Sequence, residues 1–235
     1  MTLPALIIRP YIGLRRRAQR AEARQFTRAR TPELLRAYDA FSEASQSGAS
    51  RQPFKGRDLW RILETTSPKS IIELGSGTTS AVFALWADRM AASYRAFEHD
   101  AHWAEVTEKC LRRVSLVKGG DPRIQHVTSR VREDGGATGF VDPLPLDADF
   151  IYVDGPPCRL ENGRKVPNDD VTRLLDAGGQ PRVIVVDGRL ETVDLIRAHP
   201  RGSQYRFFPS YVYSVRRGRW RDALAGREHT ILIRT

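Results

Sequence analysis

Residues 71–80, Ile-Ile-Glu-Leu-Gly-Ser-Gly-Thr-Thr-Ser, constrain what this chain can fold into more than any other stretch. Two β-branched residues run into a carboxylate, Glu73. Gly75 and Gly77 flank Ser76, and Ser80 opens an apolar run through Ala81, Val82, Phe83, Leu85 and Trp86. This order reads as a strand, a tight glycine turn and a helix start, the geometry in which backbone N–H groups approach a ligand closely. A dinucleotide fingerprint has a third glycine where Ser80 stands and no need of an acid two residues before the first. Both departures speak against a nicotinamide-dependent oxidoreductase.

Beyond residue 70, short apolar runs alternate with helical patterns, as in a parallel α/β sheet. The spacing predicts strands at Ser70–Leu74, Ser93–Glu98, Ile124–Val131, Phe150–Val153, Val183–Val186, Tyr205–Val215 and His229–Ile233. It predicts helices at Ser80–Met90, His102–Val114, Asp169–Leu175 and Glu191–Ala198. The last two strands, joined only by the basic segment Arg216–Arg227, read as an antiparallel pair. Upstream, Thr31-Pro32-Glu33 signals a helix over roughly 32–44. Ser45–Pro53 reads as a linker, and Phe54–Thr65 as a helix ended by Pro68. The expected organisation is a basic, mainly helical extension over 1–53 and one α/β domain over 54–235.

Two acids mark predicted strand ends. Glu98 follows Glu73 by 25 residues, close to the roughly 20-residue spacing at which an acid accepts from ribose hydroxyls. Asp154 ends the Phe150–Val153 strand, the sheet edge where open α/β folds bind ligands, and Pro156-Pro157 stiffen the loop after it.

The E-L-G-S-G-T-T-S stretch resembles motif I of class I S-adenosylmethionine-dependent methyltransferases. E-H-D-x-x-W (Glu98 to Trp103) and V-D-G-P-P (Val153 to Pro157) are similar to a bacterial subset of them. The resemblance spans roughly residues 54–235. It implies a Rossmann-like, open, mostly parallel seven-stranded sheet with a terminal antiparallel pair, and S-adenosylmethionine as cofactor. Glu73 would read the amino-acid end of the cofactor, and Gly75, Ser76, Gly77, Thr78, Thr79 and Ser80 would form the turn around it. Glu98 would hold the ribose. His99 and Asp100 would lie at the adenine edge, mainly through backbone, with Trp103 either covering the adenine or sitting in the core. Asp154 takes the place of a catalytic or metal-binding residue, and the implied reaction is O-methylation of a sugar or other small polar acceptor.

The chemistry asks little else of the protein. An acceptor must be held in line and, if it is a hydroxyl, relieved of its proton. An ordinary aspartate is too weak a base for a sugar hydroxyl, so Asp154 needs burial or a metal beside it. Asp187 offers a second carboxylate, but Gly188 and Arg189 supply no third oxygen where a hard cation wants several; no metal is expected. Arg189 reads either as an anchor for an anionic acceptor or as a salt bridge to Asp187. Arg159, Arg164, Lys165, Asn168 and Asp170 form a candidate acceptor loop. Cys158 reads as a bystander thiol, and the five histidines show no metal-ligand spacing. A nucleophile elbow and a G-x-x-x-x-G-K-[ST] phosphate loop are both missing, which removes hydrolase and NTPase readings.

Charge bears on partners. Residues 1–70 hold 14 Lys and Arg against 6 Asp and Glu, a surplus of 8 out of the net +10. The polybasic stretch Arg9–Arg30 suits nucleic acid, an anionic membrane surface or simply water. An RNA methyltransferase is the alternative within enzymes, against which the charge lies outside the main domain. A non-catalytic binding protein on the same scaffold is the alternative outside them. Leu3–Leu14 followed by Arg15–Arg17 would allow peripheral membrane contact, although Pro10 interrupts it. Two cysteines make no disulfide framework, and no run reaches the roughly 20 apolar residues of a membrane span. A cytoplasmic protein is the expectation.

Overall fold

The computed structural model describes residues 18–45, 53–117, 121–160, 162–219, 222 and 227–235. Three helices come first: α1 (18–30), α2 (Pro32–Ser45) and α3 (Pro53–Thr66). Then follow β1 (Ser70–Leu74), α4 (Ser80–Met90), β2 (Ser93–Glu98), α5 (Ala101–Arg113) and β3 (Ile124–Thr128). A hairpin, β4 (Val131–Asp134) and β5 (Ala137–Phe140), precedes β6 (Phe150–Val153), α6 (Asp170–Asp176), β7 (Val183–Val186) and α7 (Leu190–Ala198). The chain closes with β8 (Tyr205–Phe208), α8 (Tyr211–Arg216) and β9 (Thr230–Arg234).

Seven strands form one sheet in the order β3-β2-β1-β6-β7-β9-β8. All pair in parallel except β9, which runs antiparallel to both β7 and β8. The central strands β6 and β7, Phe-Ile-Tyr-Val and Val-Ile-Val-Val, are buried at every position, as parallel strands covered on both faces must be. The same is true of α4, buried from Ser80 to Ala87: it lies between the sheet and α2 and α3, so it has no polar face over that length.

The core does not stop at the expected division near residue 54. Leu34, Ala37 and Phe41 of α2 join Leu59, Trp60, Phe83 and Trp86 in one buried cluster. The helix α1 docks on α3 through Glu22 with Arg57 and Arg61, and Arg30 with Glu64. Glu22 and Arg30 of the basic stretch are thus engaged with the chain itself; the exposed pairs Arg30–Glu64 and Arg61–Glu22 contribute roughly 0–1 kcal/mol each, while Arg57 is buried under Glu22. The Leu3–Leu14 patch with Arg15–Arg17 lies outside the described residues. Among those described, no helix is long and apolar enough to cross a membrane.

Two expected strands are shorter than their apolar runs. Ile124–Val131 breaks after Thr128, and Val131 instead starts the β4–β5 hairpin, a separate two-stranded sheet turning at Gly135-Gly136. Tyr205–Val215 breaks at Pro209. Ser210 then caps α8, its Oγ accepting from the Tyr213 N–H at 3.2 Å, so a helix does intervene before the last strand. Proline cannot donate to a strand ladder, and a serine N-cap satisfies a helix donor; together they switch the chain from strand to helix.

Candidate active site

The turn after β1 is set by a close approach of backbones. Gly75 has φ +87°, and a Cβ there would lie 2.7 Å from the Gly155 nitrogen and 2.8 Å from the Asp154 carbonyl oxygen. A Cβ on Gly155 would in turn meet Gly75 N and Cα at 2.5 Å. Glycine at both places lets the loops after β1 and β6 touch, which seats Asp154 beside the turn.

Glu73 supports this turn from beneath. It is fully buried, and its carboxylate accepts from Thr79 Oγ1 at 2.5 Å, Ser80 Oγ at 2.6 Å and the Tyr94 hydroxyl. Ser80 Oγ also accepts from the Gly77 N–H at 2.9 Å. The carboxylate is enclosed by the protein's own hydroxyls and does not line the cleft, whereas the sequence expectation placed it against the cofactor. Burial raises its pKa to about 7, against the three hydroxyl donors that favour the charge. A carboxyl raised above its unfolded value costs stability as pH rises from about 4.5 through about 7. The full shift corresponds to about 3 kcal/mol as an upper bound. Glu73→Gln should therefore be more stabilising, relative to wild type, at pH 8 than at pH 5 in urea unfolding. An unchanged difference at the two pH values would remove Glu73 as the source.

Glu98 ties the turn to the start of α5. One carboxylate oxygen accepts from the Ser76 N–H at 2.9 Å, the other from the N–H groups of His99 and Asp100 at 2.8 and 3.0 Å. His99 Nδ1 lies 2.8 Å from Glu98 as well. Asp100 is the N-cap of α5, accepting from the Trp103 N–H. The Trp103 indole bends back to donate to the Ser76 carbonyl at 2.8 Å, lying along Gly77. The motif residues Gly75 to Ser80 and Glu98 to Asp100 thus form one hydrogen-bonded unit. Within it the Thr78 and Thr79 N–H groups have no acceptor among the described residues.

A cleft of about 240 Å³ opens beside this unit, lined by Ser76, Gly77, Thr78 and Thr79 on one side and by Asp154 and Asp187 on the other. Tyr38 of α2 and Lys55 and Gly56 of α3 close it. Asp187, just past β7, accepts from Lys55 Nζ at 2.6 Å and from the Tyr152 hydroxyl at 3.3 Å. Burial would raise its carboxyl, but the neighbouring His229 and Lys55 outweigh that and hold it below the ordinary aspartate value. Asp154 moves the other way. Enclosure by the cleft walls, then the Asp187 charge, raise it against Arg189 and Lys55. Its side chain keeps 48% of its surface open, so water screens part of that rise.

Arg189 pairs with Asp154 rather than Asp187. Its Nε is 3.7 Å from Asp154 Oδ1, and its terminal nitrogens donate to the carbonyls of Asp154 and Pro156. The cation on Asp187 is Lys55, which the sequence reading missed. A signal for it existed: a lysine in the first turn of a helix sits at the positive end of the dipole, an unfavourable place without a compensating anion. The acceptor loop is also smaller than expected. Asn168 and Asp170 are buried, bonded to each other and to Thr192 and Phe140, and so pin α6 instead of lining the cleft. Among the described residues no three His, Cys, Asp or Glu side chains are grouped to hold a metal ion.

Neither a family profile nor a curated protein sequence matches the chain. Solved structures do, along nearly its full length. An O-methyltransferase from Bacillus cereus in complex with SAH is 14% identical with a TM-score of 0.54, covering 92% of this chain and 97% of that one. A Klebsiella pneumoniae protein assigned to the O-methyltransferases is 17% identical (TM-score 0.53; 94% and 98% covered). The cofactor-bound Rv0187 from MTB is 16% identical (TM-score 0.51; 91% and 95% covered). The chain shares a Rossmann-like fold with these structures, two of which are named as O-methyltransferases.

Proposed function

We propose that this protein is an S-adenosylmethionine-dependent methyltransferase acting on an oxygen of a sugar or other small polar acceptor. The observation that carries this reading is the unit built from Gly75–Ser80 and Glu98–Asp100 at the sheet edge, opening on a cleft that also holds Asp154. The residues fit the cofactor. The tight turn at Gly75, a Gly77 that lines the cleft without a side chain, N–H groups at the start of α4 that have no acceptor among the described residues, and a fixed acid at the end of β2 suit a ligand with a carboxylate and a ribose. The SAH in the Bacillus cereus structure of the same fold supports that choice.

Thr78 and Thr79 would receive the carboxylate of the cofactor, and Glu98 the ribose hydroxyls. Glu73 acts through the turn it supports, and His99 and Asp100 border the adenine side. When bound, the cofactor supplies a methyl group made electrophilic by a sulfonium. The protein then has to place an acceptor oxygen in line and take its proton, the role of Asp154. Glu98→Ala should weaken S-adenosylhomocysteine binding at least tenfold in equilibrium dialysis. Unchanged affinity would remove Glu98 from the cofactor site.

A further inference from the structure

The basic charge of the α/β region is gathered at one edge. Residues 201–235 carry 8 arginines, no lysine and 2 carboxylates, whereas residues 71–200 hold 16 basic side chains against 20 acidic ones. Strand β8 runs with β7, because both pair antiparallel to β9. The end of β8, α8 and the chain entering β9 therefore lie at the same sheet edge as Asp187, where Thr230 pairs with Val186. The Tyr211 N–H donates to the Arg227 carbonyl at 2.8 Å, which holds the start of α8 against that chain. Arg217 and Arg219 are taken up by Asp194 and Asp222. Arg206, Arg216 and Arg227 form no ion pair among the described residues, and Arg206 and Arg216 are exposed. The guanidiniums of Arg206 and Arg227 stand 5.0 and 5.5 Å from the centroid of the Phe208 ring. The neighbouring ring, Phe207, carries Arg197 and Arg219 at 4.4 and 5.5 Å.

We propose that this edge, formed by β8, α8 and the chain entering β9, is a docking surface for single-stranded nucleic acid. Arg206, Arg216 and Arg227 hold the phosphodiesters, and the guanidiniums held over Phe208 stack on bases. Charge complementarity argues for a polyanion, and the choice of residue argues for this one. Every cation of the edge is an arginine, whose planar fork matches two phosphate oxygens at once, where an ammonium offers a point charge. A guanidinium resting one face on an aromatic ring keeps its other face for a base, and such stacking tolerates any sequence. A membrane surface asks for something different, apolar side chains that enter the acyl boundary. The exposed large apolar residues among those described are Met90, Val141 and Leu146, none of them on this edge. The surface is independent of the cofactor unit, so it stands or falls apart from the methyltransferase reading.

The test uses the full chain and a fluorescein-labelled RNA of mixed sequence, about 12 nucleotides long, within the span such surfaces cover. Anisotropy is followed from about 50 to 200 mM NaCl, the interval in which phosphate contacts weaken steeply. Wild type should bind, and its affinity should fall as salt rises. The combined variant Arg206→Gln, Arg216→Gln and Arg227→Gln should bind at least tenfold more weakly at the lowest salt. Its logarithmic salt slope should be shallower by about 2, three contacts at roughly 0.7 each. The same three positions changed to lysine keep the charge and lose the stacking, and should fall in between. Arg20→Gln, Arg24→Gln and Arg28→Gln together, on α1, should stay within threefold of wild type. Urea unfolding confirms that each variant is folded. If the triple variant is not, Arg216→Glu, at an exposed position of α8, should by itself weaken binding at least threefold. No binding by wild type at the lowest salt, an unchanged slope in the edge variant, or a loss confined to the α1 variant would overturn the proposal. So would retention on vesicles of phosphatidylcholine and phosphatidylserine by a protein that leaves the RNA free.

Discussion

Gly75→Ala is expected to abolish S-adenosylhomocysteine binding and to lower the unfolding free energy by about 2–5 kcal/mol. Two effects add. An alanine at φ +87° carries a left-handed backbone cost of roughly 1–2 kcal/mol. Its methyl group also meets backbone atoms of Asp154 and Gly155 at 2.7–2.8 Å, and overpacking typically costs about 1–3 kcal/mol. Backbone cannot rotate out of the way as a side chain can. The β1 and β6 loops must separate, which moves the turn and Asp154 together. Urea unfolding with calorimetry checks both halves. A variant within 0.5 kcal/mol of wild type, about the scatter of neutral surface changes, would mean that the loops do not touch as described.

Asp154→Asn is expected to separate binding from chemistry. Asparagine keeps the shape of the side chain but cannot take a proton, and a positioned base is worth about 10²–10⁴ in rate. Methyl transfer should fall at least 100-fold while S-adenosylhomocysteine affinity changes little, because the cofactor unit is held by Glu73 and Glu98. The pH dependence follows from the direction of the shift. Asp154 acts as the carboxylate, and enclosure with Asp187 nearby raises its pKa. Wild-type transfer should therefore rise with pH through a value above the ordinary aspartate pKa and then level. Asparagine should flatten that rise. A rate that falls as pH increases across the same interval, or an Asp154→Asn enzyme at full activity, would exclude Asp154 as the base.

The turn and its flanking acids were legible in the sequence because their geometry is local. Glu73, Ser80 and the glycines lie within a few residues, between a β-branched apolar run that forms the strand and a longer apolar run that forms the helix. The parallel sheet was legible for a related reason, since fully buried strands such as Val183–Val186 are uninterrupted apolar runs. Errors arose where apolar runs cross an element boundary. Val131 and Val212 continue a run in sequence, but turn residues next to them send the chain into a hairpin and a helix. The Asp134-Gly135-Gly136 signal was present at the first, and Pro209-Ser210 at the second. The cleft's cations were the least legible. Lys55 finds Asp187, and Tyr38 finds Gly56, only through packing of α2 and α3 on the sheet, which no local spacing encodes. The same long-range packing decided that Arg189 serves Asp154 and the loop carbonyls, and that Asn168 and Asp170 turn inward.

The glycine turn, with Glu98 fixed behind it, is proposed as the site for S-adenosylmethionine. Calorimetric titration of the wild-type protein with S-adenosylhomocysteine tests it most directly. One site per chain is expected, with a dissociation constant in the micromolar range, on the order of −8 kcal/mol. A folded protein that releases no binding heat, and gains no thermal stability from millimolar S-adenosylhomocysteine, would contradict it and leave only the fold.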